Sequence, residues 1–202
     1  MNGYEAILFD FDGVIVDSEP IHFACWREVL LPLGIDFNWD YYHDRFIGVS
    51  DRHMAEELSK MVSPPVPVEE IFGRYGDKTD LFRARMREQL PFAPGIVEFL
   101  TSMRHAAIGV VTSSRRSEVE PVLEAGGLMS SLSVTIFAED VIRHKPDPEP
   151  YRTAAEKLGV RRPLVVEDSQ AGEMSGRAAG FDVLRIPYPE QTVTLVRQKL
   201  SL

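Results

Sequence analysis

The sequence predicts an α/β fold in which helices cover both faces of a parallel sheet, with an all-helical segment inserted near its start. Beyond residue 93, strand-like apolar runs alternate with helix-like segments, and this βαβ pattern is typical of a parallel sheet. Residues 16–92 contain helix-like patterns and no convincing strand. We therefore expect an α/β core domain of residues 1–15 and 93–202, and a helical cap domain of residues 16–92.

The core elements are predicted in order from apolar runs and from residues that end helices. The first strand is the run Ala-Ile-Leu-Phe at residues 6–9. Gly126 and Gly180 each follow a predicted helix directly, and glycine commonly ends helices. The later strands are expected at residues 107–111, 134–138, 164–166 and 183–186, and the helices at residues 94–104, 117–125, 151–158 and 171–179.

Two helix patterns are clear in the predicted cap domain. One covers residues 22–31. The other is formed by Met54, Leu58 and Met61, whose spacing places them on one face of a helix, with Ser50 as a candidate N-cap. Helices alone are therefore expected in the cap domain.

Length and composition are those of a soluble globular protein. The 202 residues are 44% hydrophobic and 26% charged, with a formal net charge of −9. A nucleic-acid partner is not expected, because binding a phosphate backbone requires clustered Lys and Arg. The apolar stretches are strand-sized, and no basic segment with a signal-length apolar run opens the chain, so we expect a cytoplasmic protein without a membrane partner. The single cysteine, Cys25, is expected to be a buried packing residue.

Polar residues follow the predicted strands at the points where ligands bind in open parallel sheets. They are Asp10 and Asp12, Thr112 to Ser114, Lys145, and Glu167 to Ser169. Each has a structural explanation when taken alone, since Asp is common in turns, Ser and Thr cap helices, and a loop lysine is often solvated. Together they gather four acids, a lysine and several hydroxyls at one edge of the sheet.

Four carboxylates at one edge repel each other unless a cation neutralises them. Mg²⁺ fits, because it binds a few carboxylates together with substrate phosphate and water. A metal, a lysine and hydroxyl groups together indicate a phosphate substrate. Asp10 can then be a nucleophile that forms an aspartyl-phosphate, and Asp12 can protonate the leaving oxygen and later deprotonate water.

The sequence resembles the haloacid dehalogenase-like (HAD) superfamily over nearly its whole length. Its four motifs stand in order as Asp10-Phe11-Asp12-Gly13-Val14, Thr112 after an apolar strand, Lys145 in "HKPDPEPY", and Glu167-Asp168 in "VVEDSQAG". It is most similar to the subgroup with a helical cap between the first two motifs, which includes β-phosphoglucomutase and many sugar-phosphate phosphatases. The resemblance implies a Rossmann-like core and a small phosphomonoester substrate, and it leaves open whether the protein is a monomer or a homodimer.

The resemblance also implies a role for each motif residue. Asp10 would be the nucleophile, Asp12 the general acid and base, Thr112 a hydrogen-bond donor to the transferring phosphoryl group, and Lys145 the partner of Asp10 and of a phosphate oxygen.

The implied metal is Mg²⁺, and the core motifs would also bind the substrate. The metal ligands would be Asp10, the main-chain carbonyl of Asp12, Asp168, and Glu167 either directly or through water. The candidate substrate-binding residues are Phe11, Ser113 and Ser114 in the core motifs and His22, Arg52 and Lys78 in the cap. The alternative to substrate binding in the cap is a structural role. His22 could be a packed helix residue, and Arg52 and Lys78 could be surface charges.

Several activities occur in this superfamily, and the sequence separates some of them. Dehalogenases lack an acid at the position of Asp12, and an inactive phosphate-binding module would be expected to have lost a motif residue. The close alternatives are a phosphatase and a β-phosphoglucomutase-like phosphosugar mutase. The mutase pattern carries arginine directly after Gly-Val-Ser, whereas this chain has Asp51 there and Arg52 one residue later, which turns the side chain by about 100° on a helix. We therefore expect a hydrolase.

Overall fold

The computed structural model of the chain describes residues 3–47, 49, 51–104 and 106–202. The chain forms two compact units. One consists of Met1–Asp17 and Leu90–Leu202 and is called the core unit below, and the other consists of Ser18–Gln89 and is called the helical unit.

The core unit is built on a five-stranded sheet in which every neighbouring pair of strands is parallel. The strands lie in the order β3-β2-β1-β4-β5, so β1 is central, and all four of its residues are buried. The strands are β1 (Ala6–Phe9), β2 (Ala107–Val111), β3 (Val134–Ile136), β4 (Pro163–Glu167) and β5 (Asp182–Arg185). The predicted parallel α/β fold is confirmed.

Ten α-helices lie in the described part of the chain, five in each unit. The helical unit contains α1 (Glu19–Leu30), α2 (Trp39–Phe46), α3 (Asp51–Leu58), α4 (Val68–Gly73) and α5 (Tyr75–Gln89). The core unit contains α6 (Ile96–Ser102), α7 (Arg116–Ala125), α8 (Glu149–Leu158), α9 (Gln170–Ala178) and α10 (Thr192–Leu200). None of the described helices is both long enough and apolar enough to cross a membrane.

Some element ends differ from the prediction for local reasons. Helix α6 begins at Ile96, because Gly95 has a φ of +71° and stands at its N-cap. Strand β3 ends at Ile136, where the Asp140 carboxylate accepts a hydrogen bond from the Phe137 N–H and starts a 3₁₀ turn. Helix α10 was not predicted at all.

The helical unit has a core of its own, rich in aromatic side chains. Trp26, Phe37, Tyr42 and Phe46 are buried in it together with aliphatic residues of α1, α3 and α4. Cys25 is fully buried, as expected. The helix predicted from Met54 and Leu58 is α3, Met61 falls in the 3₁₀ turn Ser59–Met61 that follows it, and the candidate cap Ser50 lies outside the described residues.

Two segments of the core unit lead to and from the helical unit, and they are paired with each other. The Ala93 N–H donates to Ile15 O at 2.8 Å, and the Asp17 N–H donates to Pro91 O at 2.8 Å. Between these bonds, residues 16 and 92 form an antiparallel bridge. The helical unit is therefore inserted at a single point on the core unit.

Candidate active site

Main-chain hydrogen bonds extend the sheet past the ends of two strands and fix the polar residues that follow. The Asp10 N–H donates to Val166 O and the Thr112 N–H donates to Ile136 O, both at 2.9 Å. Each bond ties the residue after one strand to the neighbouring strand. Asp10 and Thr112 are therefore held at the carboxyl edge of the sheet.

The side chain of Lys145 joins the ends of three strands at this edge. Its Nζ donates to Asp10 Oδ1 at 2.7 Å, to Glu167 Oε1 at 2.6 Å and to the main-chain carbonyl of Val111 at 2.8 Å. An ammonium group has three N–H donors, so these bonds use all of them. The side chain is 6% exposed, and although burial opposes its charge, Asp10 and Glu167 raise the pKa of Lys145. Lys145 is therefore a charged and firmly oriented group.

The Glu167 carboxylate is fully buried and accepts five hydrogen bonds. Its Oε1 accepts from Lys145 Nζ and from the hydroxyl of Tyr151 at 2.8 Å. Its Oε2 accepts from the hydroxyl and the N–H of Ser169, at 3.0 and 3.1 Å, and from the Asp168 N–H at 3.1 Å. Burial opposes the charge of Glu167, but Lys145 and the hydrogen bonds outweigh it and lower the pKa. Because a carboxylate offers about four lone pairs, the chain's own donors fill those of Glu167.

Three carboxylates lie close enough together to share one cation. Asp10, Glu167 and Asp168 each bring an oxygen within 4.8 Å of the other two. Burial raises the pKa of Asp10 well above its usual range, and Glu167 and Asp168 raise it further, against the effect of Lys145. Burial, and then the charge of Glu167, raises the pKa of Asp168 to about 6. A hard divalent ion with oxygen ligands fits this donor set, because its charge favours the ionised form of both groups.

Gly13 occupies a position where a side chain has no room. Its φ is +72°, and a Cβ added there would lie 2.1 Å from Asp168 Oδ2. The turn after β1 therefore packs directly against the loop after β4. This close approach brings the Asp-x-Asp-Gly turn and Asp168 into one site.

The loop after β2 contacts Asp12. The Ser114 hydroxyl donates to Asp12 Oδ2 at 2.8 Å, and the Ser114 N–H donates to Thr112 Oγ1 at 3.0 Å. Thr112 is buried, whereas Asp12 and Ser114 are half-buried. The structure therefore brings the predicted acid and base together with the predicted hydroxyl cluster.

The two other core residues predicted to bind substrate differ in exposure. Phe11 is 2% exposed and belongs to the hydrophobic core. Ser113 is exposed. Substrate contacts by Phe11 and Ser113 stay predictions.

In the helical unit, the structure pairs two predicted residues. Lys78 Nζ lies 2.7 Å from His22 Nδ1, and this lysine is only 5% exposed. The ammonium also lies 5.4 Å from the ring centroid of Trp26 and 5.1 Å from that of Phe82, which stacks on His22. Burial, and then the charge of Lys78, lowers the pKa of His22 to about 3. His22 is therefore neutral at ordinary pH and accepts a hydrogen bond from Lys78.

Arg52 is placed differently from this buried pair. Its side chain is 70% exposed on α3, where Nε donates to Glu56 Oε1 at 3.1 Å. Asp51, which stands at the arginine position of the mutase pattern, is the first residue of α3, and its side chain lies outside the described part of the structure. A substrate contact by Arg52 stays a prediction.

Sequence reasoning assigned no role to Tyr151, the last residue of the "HKPDPEPY" stretch. It is fully buried on α8 and donates its hydroxyl to Glu167. A buried tyrosine hydroxyl usually has a hydrogen-bond partner. The signal in the sequence was therefore the position of Tyr151 on the apolar face of a predicted helix.

The chain is similar in sequence to one protein family and to two named phosphatases. The chain matches the haloacid dehalogenase-like hydrolase family over residues 7–186. It is 29% identical over 180 residues to the phosphorylated carbohydrates phosphatase of Thermotoga maritima, with 88% of this chain and 82% of that protein covered. It is 31% identical over 181 residues to the validoxylamine A 7'-phosphate phosphatase of Streptomyces hygroscopicus subsp. limoneus, with 88% and 83% covered.

Among solved structures, one similar fold holds a phosphorylated sugar. It is a mutant of CbbY from Rhodobacter sphaeroides in complex with xylulose-(1,5)bisphosphate. The TM-score is 0.65 at 25% sequence identity, and the superposition covers 89% of this chain and 84% of that one.

Proposed function

This chain belongs to the haloacid dehalogenase-like hydrolase family and is a phosphatase, and we propose that it hydrolyses small phosphorylated carbohydrates through a phosphorylated Asp10, with the help of Mg²⁺. The observation that carries this proposal is the contact of 2.7 Å between Lys145 Nζ and Asp10 Oδ1. It leaves the other oxygen of Asp10 as the attacking atom at the carboxyl edge of the sheet.

Mg²⁺ would be held by Asp10 and Asp168, with the main-chain carbonyl of Asp12. The position of Gly13 against Asp168 supports this set, because it brings the two loops together. Glu167 is proposed to act through a water molecule, since five donors of the chain already occupy its oxygens. When bound, the ion supplies positive charge that offsets the negative charge of the phosphoryl group.

In the first step, Asp10 attacks the phosphorus atom and the bond to the sugar oxygen breaks. Asp12 gives its proton to that oxygen, so the sugar leaves as an alcohol. Thr112 donates a hydrogen bond to the phosphoryl group, and Lys145 holds Asp10 in line. A direct contact between Lys145 and a phosphate oxygen requires the ammonium to release one of its three present acceptors.

In the second step, Asp12 takes a proton from a water molecule, which attacks the phosphorus atom. The bond between phosphorus and Asp10 breaks, and inorganic phosphate is released with the Asp10 carboxylate regenerated. Asp12 ends the cycle protonated, as it began. The hydrogen bond from Ser114 supports this role, because it orients the Asp12 carboxyl group.

We propose that the helical unit is the cap domain that selects the substrate. Residues 18–89 lie between β1 and β2 in the chain, which is where the helical-cap subgroup that the sequence resembles carries its cap. Lys78 is a buried cation in this unit and supports a phosphosugar mutase as the second candidate activity, because a mutase must hold the distal phosphate of a bisphosphate.

A phosphate-release screen tests the proposal. The purified chain with Mg²⁺ is assayed against sugar phosphates, nucleotides and short phosphorylated acids, with Asp10→Asn as the blank. We expect the highest kcat/KM on sugar phosphates. Phosphate release from nucleotides alone would contradict the substrate class.

A second assay separates hydrolase from mutase. β-Glucose 1-phosphate is supplied with a bisphosphate activator, and inorganic phosphate and glucose 6-phosphate are measured together. We expect glucose 6-phosphate to accumulate no faster than phosphate. Rapid isomerisation with negligible phosphate release would favour the mutase.

A further inference from the structure

We propose that Tyr151 is a positioning residue for catalysis, whose hydroxyl holds the Glu167 carboxylate against Lys145 and so keeps Lys145 in place on Asp10. This inference rests on the proposed function, in which Asp10 attacks phosphorus. It adds a fourth side chain, from helix α8, to the group formed by Asp10, Lys145 and Glu167.

One oxygen atom links Tyr151 to Lys145. Glu167 Oε1 accepts from the tyrosine hydroxyl at 2.8 Å and from Lys145 Nζ at 2.6 Å. The ring of Tyr151 also lies under the ammonium, with 5.0 Å between Nζ and the ring centroid. Tyr151 therefore contacts both the lysine and the carboxylate that orients it.

Lys145 needs this support because its side chain is long and flexible. A flexible chain of four methylene groups carries the ammonium. The ammonium acts as a point charge and, unlike a guanidinium group, has no fixed planar arrangement of donors. Its three donors all point to acceptors of the chain, and Glu167 is one of the two charged ones. If Glu167 Oε1 moves, the ammonium follows it and the contact with Asp10 lengthens.

The hydroxyl is separable from the packing of the ring. Tyr151 packs with Leu8, Val111, Ile136 and Val165 in the core below the sheet edge. Tyr151→Phe keeps the ring in this cluster and removes only the hydrogen bond.

The chain offers a matched control at the opposite edge of the sheet. Tyr4 is also buried, and its hydroxyl donates to Asp182 Oδ2 at 2.8 Å. Tyr4 precedes β1 and Asp182 begins β5, so this pair lies at the amino ends of the strands. Tyr4→Phe removes the same kind of hydrogen bond away from the site.

The experiment compares Tyr151→Phe, Tyr4→Phe and the unmodified enzyme with p-nitrophenyl phosphate and Mg²⁺. For Tyr151→Phe we expect kcat to fall by about 10- to 100-fold, the usual effect of losing a group that orients a site residue, with KM nearly unchanged. Inhibition by vanadate, which mimics the transition state, should weaken in parallel with kcat, whereas inhibition by inorganic phosphate should not. Mg²⁺ affinity, measured by calorimetry with the metal alone, should stay the same. Tyr4→Phe should match the unmodified enzyme in all five measurements.

The outcomes are distinct. An unmodified enzyme that releases no phosphate overturns the proposed function and this inference with it. An active enzyme whose kcat is unchanged by Tyr151→Phe, or a loss that appears equally in Tyr4→Phe, overturns the role of Tyr151 alone. Weaker Mg²⁺ binding by Tyr151→Phe also overturns it, because the residue would then act on the metal site.

A second variant covers the case in which Tyr151→Phe does not fold. Glu167→Gln keeps the size of the side chain and weakens its hold on Lys145. We expect kcat to fall while Mg²⁺ affinity changes little. A large loss of Mg²⁺ affinity would show that Glu167 binds the ion directly, and would contradict the path from Tyr151 to Lys145.

Discussion

The Ser114 hydroxyl donates a hydrogen bond of 2.8 Å to Oδ2 of Asp12, although 102 residues separate the two in the chain. The Ser114 N–H is in turn held by the Thr112 hydroxyl. The loop after β2 therefore sets the direction of the carboxyl group that is proposed to move protons.

Ser114→Ala should lower kcat by about 3- to 10-fold, the effect of losing one ordinary hydrogen bond. Steady-state kinetics on the best substrate of the screen measures it. Ser117→Ala, at an exposed position on α7, is the control and should leave kcat unchanged. An unaffected Ser114→Ala enzyme would mean that Asp12 is oriented by other contacts.

The two aspartates after β1 should respond differently to replacement by asparagine. Asp10→Asn removes the nucleophile and should lower kcat by about 10⁴-fold or more. Asp12→Asn should lower it by about 10² to 10⁴-fold, and the phosphorylated enzyme should accumulate because water is no longer activated. Rapid quench with ³²P-labelled substrate measures both. Near-normal turnover by Asp10→Asn would show that another group attacks.

Removal of the metal should abolish phosphatase activity. Burial and the neighbouring carboxylates raise the pKa of Asp10 and Asp168, and a divalent cation bound among the three carboxylates would favour their ionised forms. Phosphate release should stop in excess EDTA and return with added Mg²⁺. Full activity in EDTA would refute the metal-dependent scheme.

Gly13→Ala should lose Mg²⁺ affinity as well as stability. The new Cβ would displace Asp168, and the positive φ alone costs about 1–2 kcal/mol. Gly127→Ala is the matched control, because its φ is +68° and its Cβ would meet no described atom within 4 Å. Calorimetry should show weaker Mg²⁺ binding in the first variant only. Equal Mg²⁺ affinity in both variants would mean that the loop adapts.

The buried histidine of the helical unit should make stability depend on pH. The pKa of His22 is about 3 in the folded chain and about 6.5 in an unfolded one, so only the unfolded state takes up the proton between these values. Stability is therefore fully present above pH 6.5 and is lost as the pH falls towards 3. Between pH 7.5 and pH 5 this group alone accounts for about 2 kcal/mol.

His22→Gln tests this prediction, because glutamine keeps an acceptor for Lys78 without titrating. Urea unfolding at pH 7.5 and pH 5 should show a smaller difference for the variant than for the unmodified chain. An equal loss of stability between pH 7.5 and pH 5 in the variant and in the unmodified chain would show that other groups cause the pH dependence.

The sheet and the residues at its edge were predictable because local patterns determine them. The run 6–9 is buried on both sides, and parallel strands place whatever follows them at one edge, so Asp10 and Lys145 meet. Helix α10 was not predictable in the same way. Its first five residues, Thr-Val-Thr-Leu-Val, favour a strand by propensity. Tertiary contacts accompany the helix instead, because Val196 and Leu200 are buried and the Thr192 hydroxyl donates to Val14 O.

The hydrogen-bond pattern within the site could not be predicted from the sequence. The types of residue at Lys145, Glu167 and Tyr151 indicate charge and burial, but not which oxygen accepts from which donor. Glu167 was predicted to bind the metal either directly or through water, and only its five contacts favour water. Such choices depend on distances of a few tenths of an ångström between segments far apart in the chain.

The paired segments at residues 15–17 and 91–93 make the chain modular. Because the insert leaves and rejoins the core at one antiparallel bridge, where opposite Cα atoms lie about 5 Å apart, recombination can exchange it without cutting any strand of the sheet. A linker of a few residues spans the same gap, because each extended residue covers up to about 3.6 Å. Evolution or an engineer can thus replace the 72 residues of Ser18–Gln89 with another insert and leave all five strands of the core sheet in place.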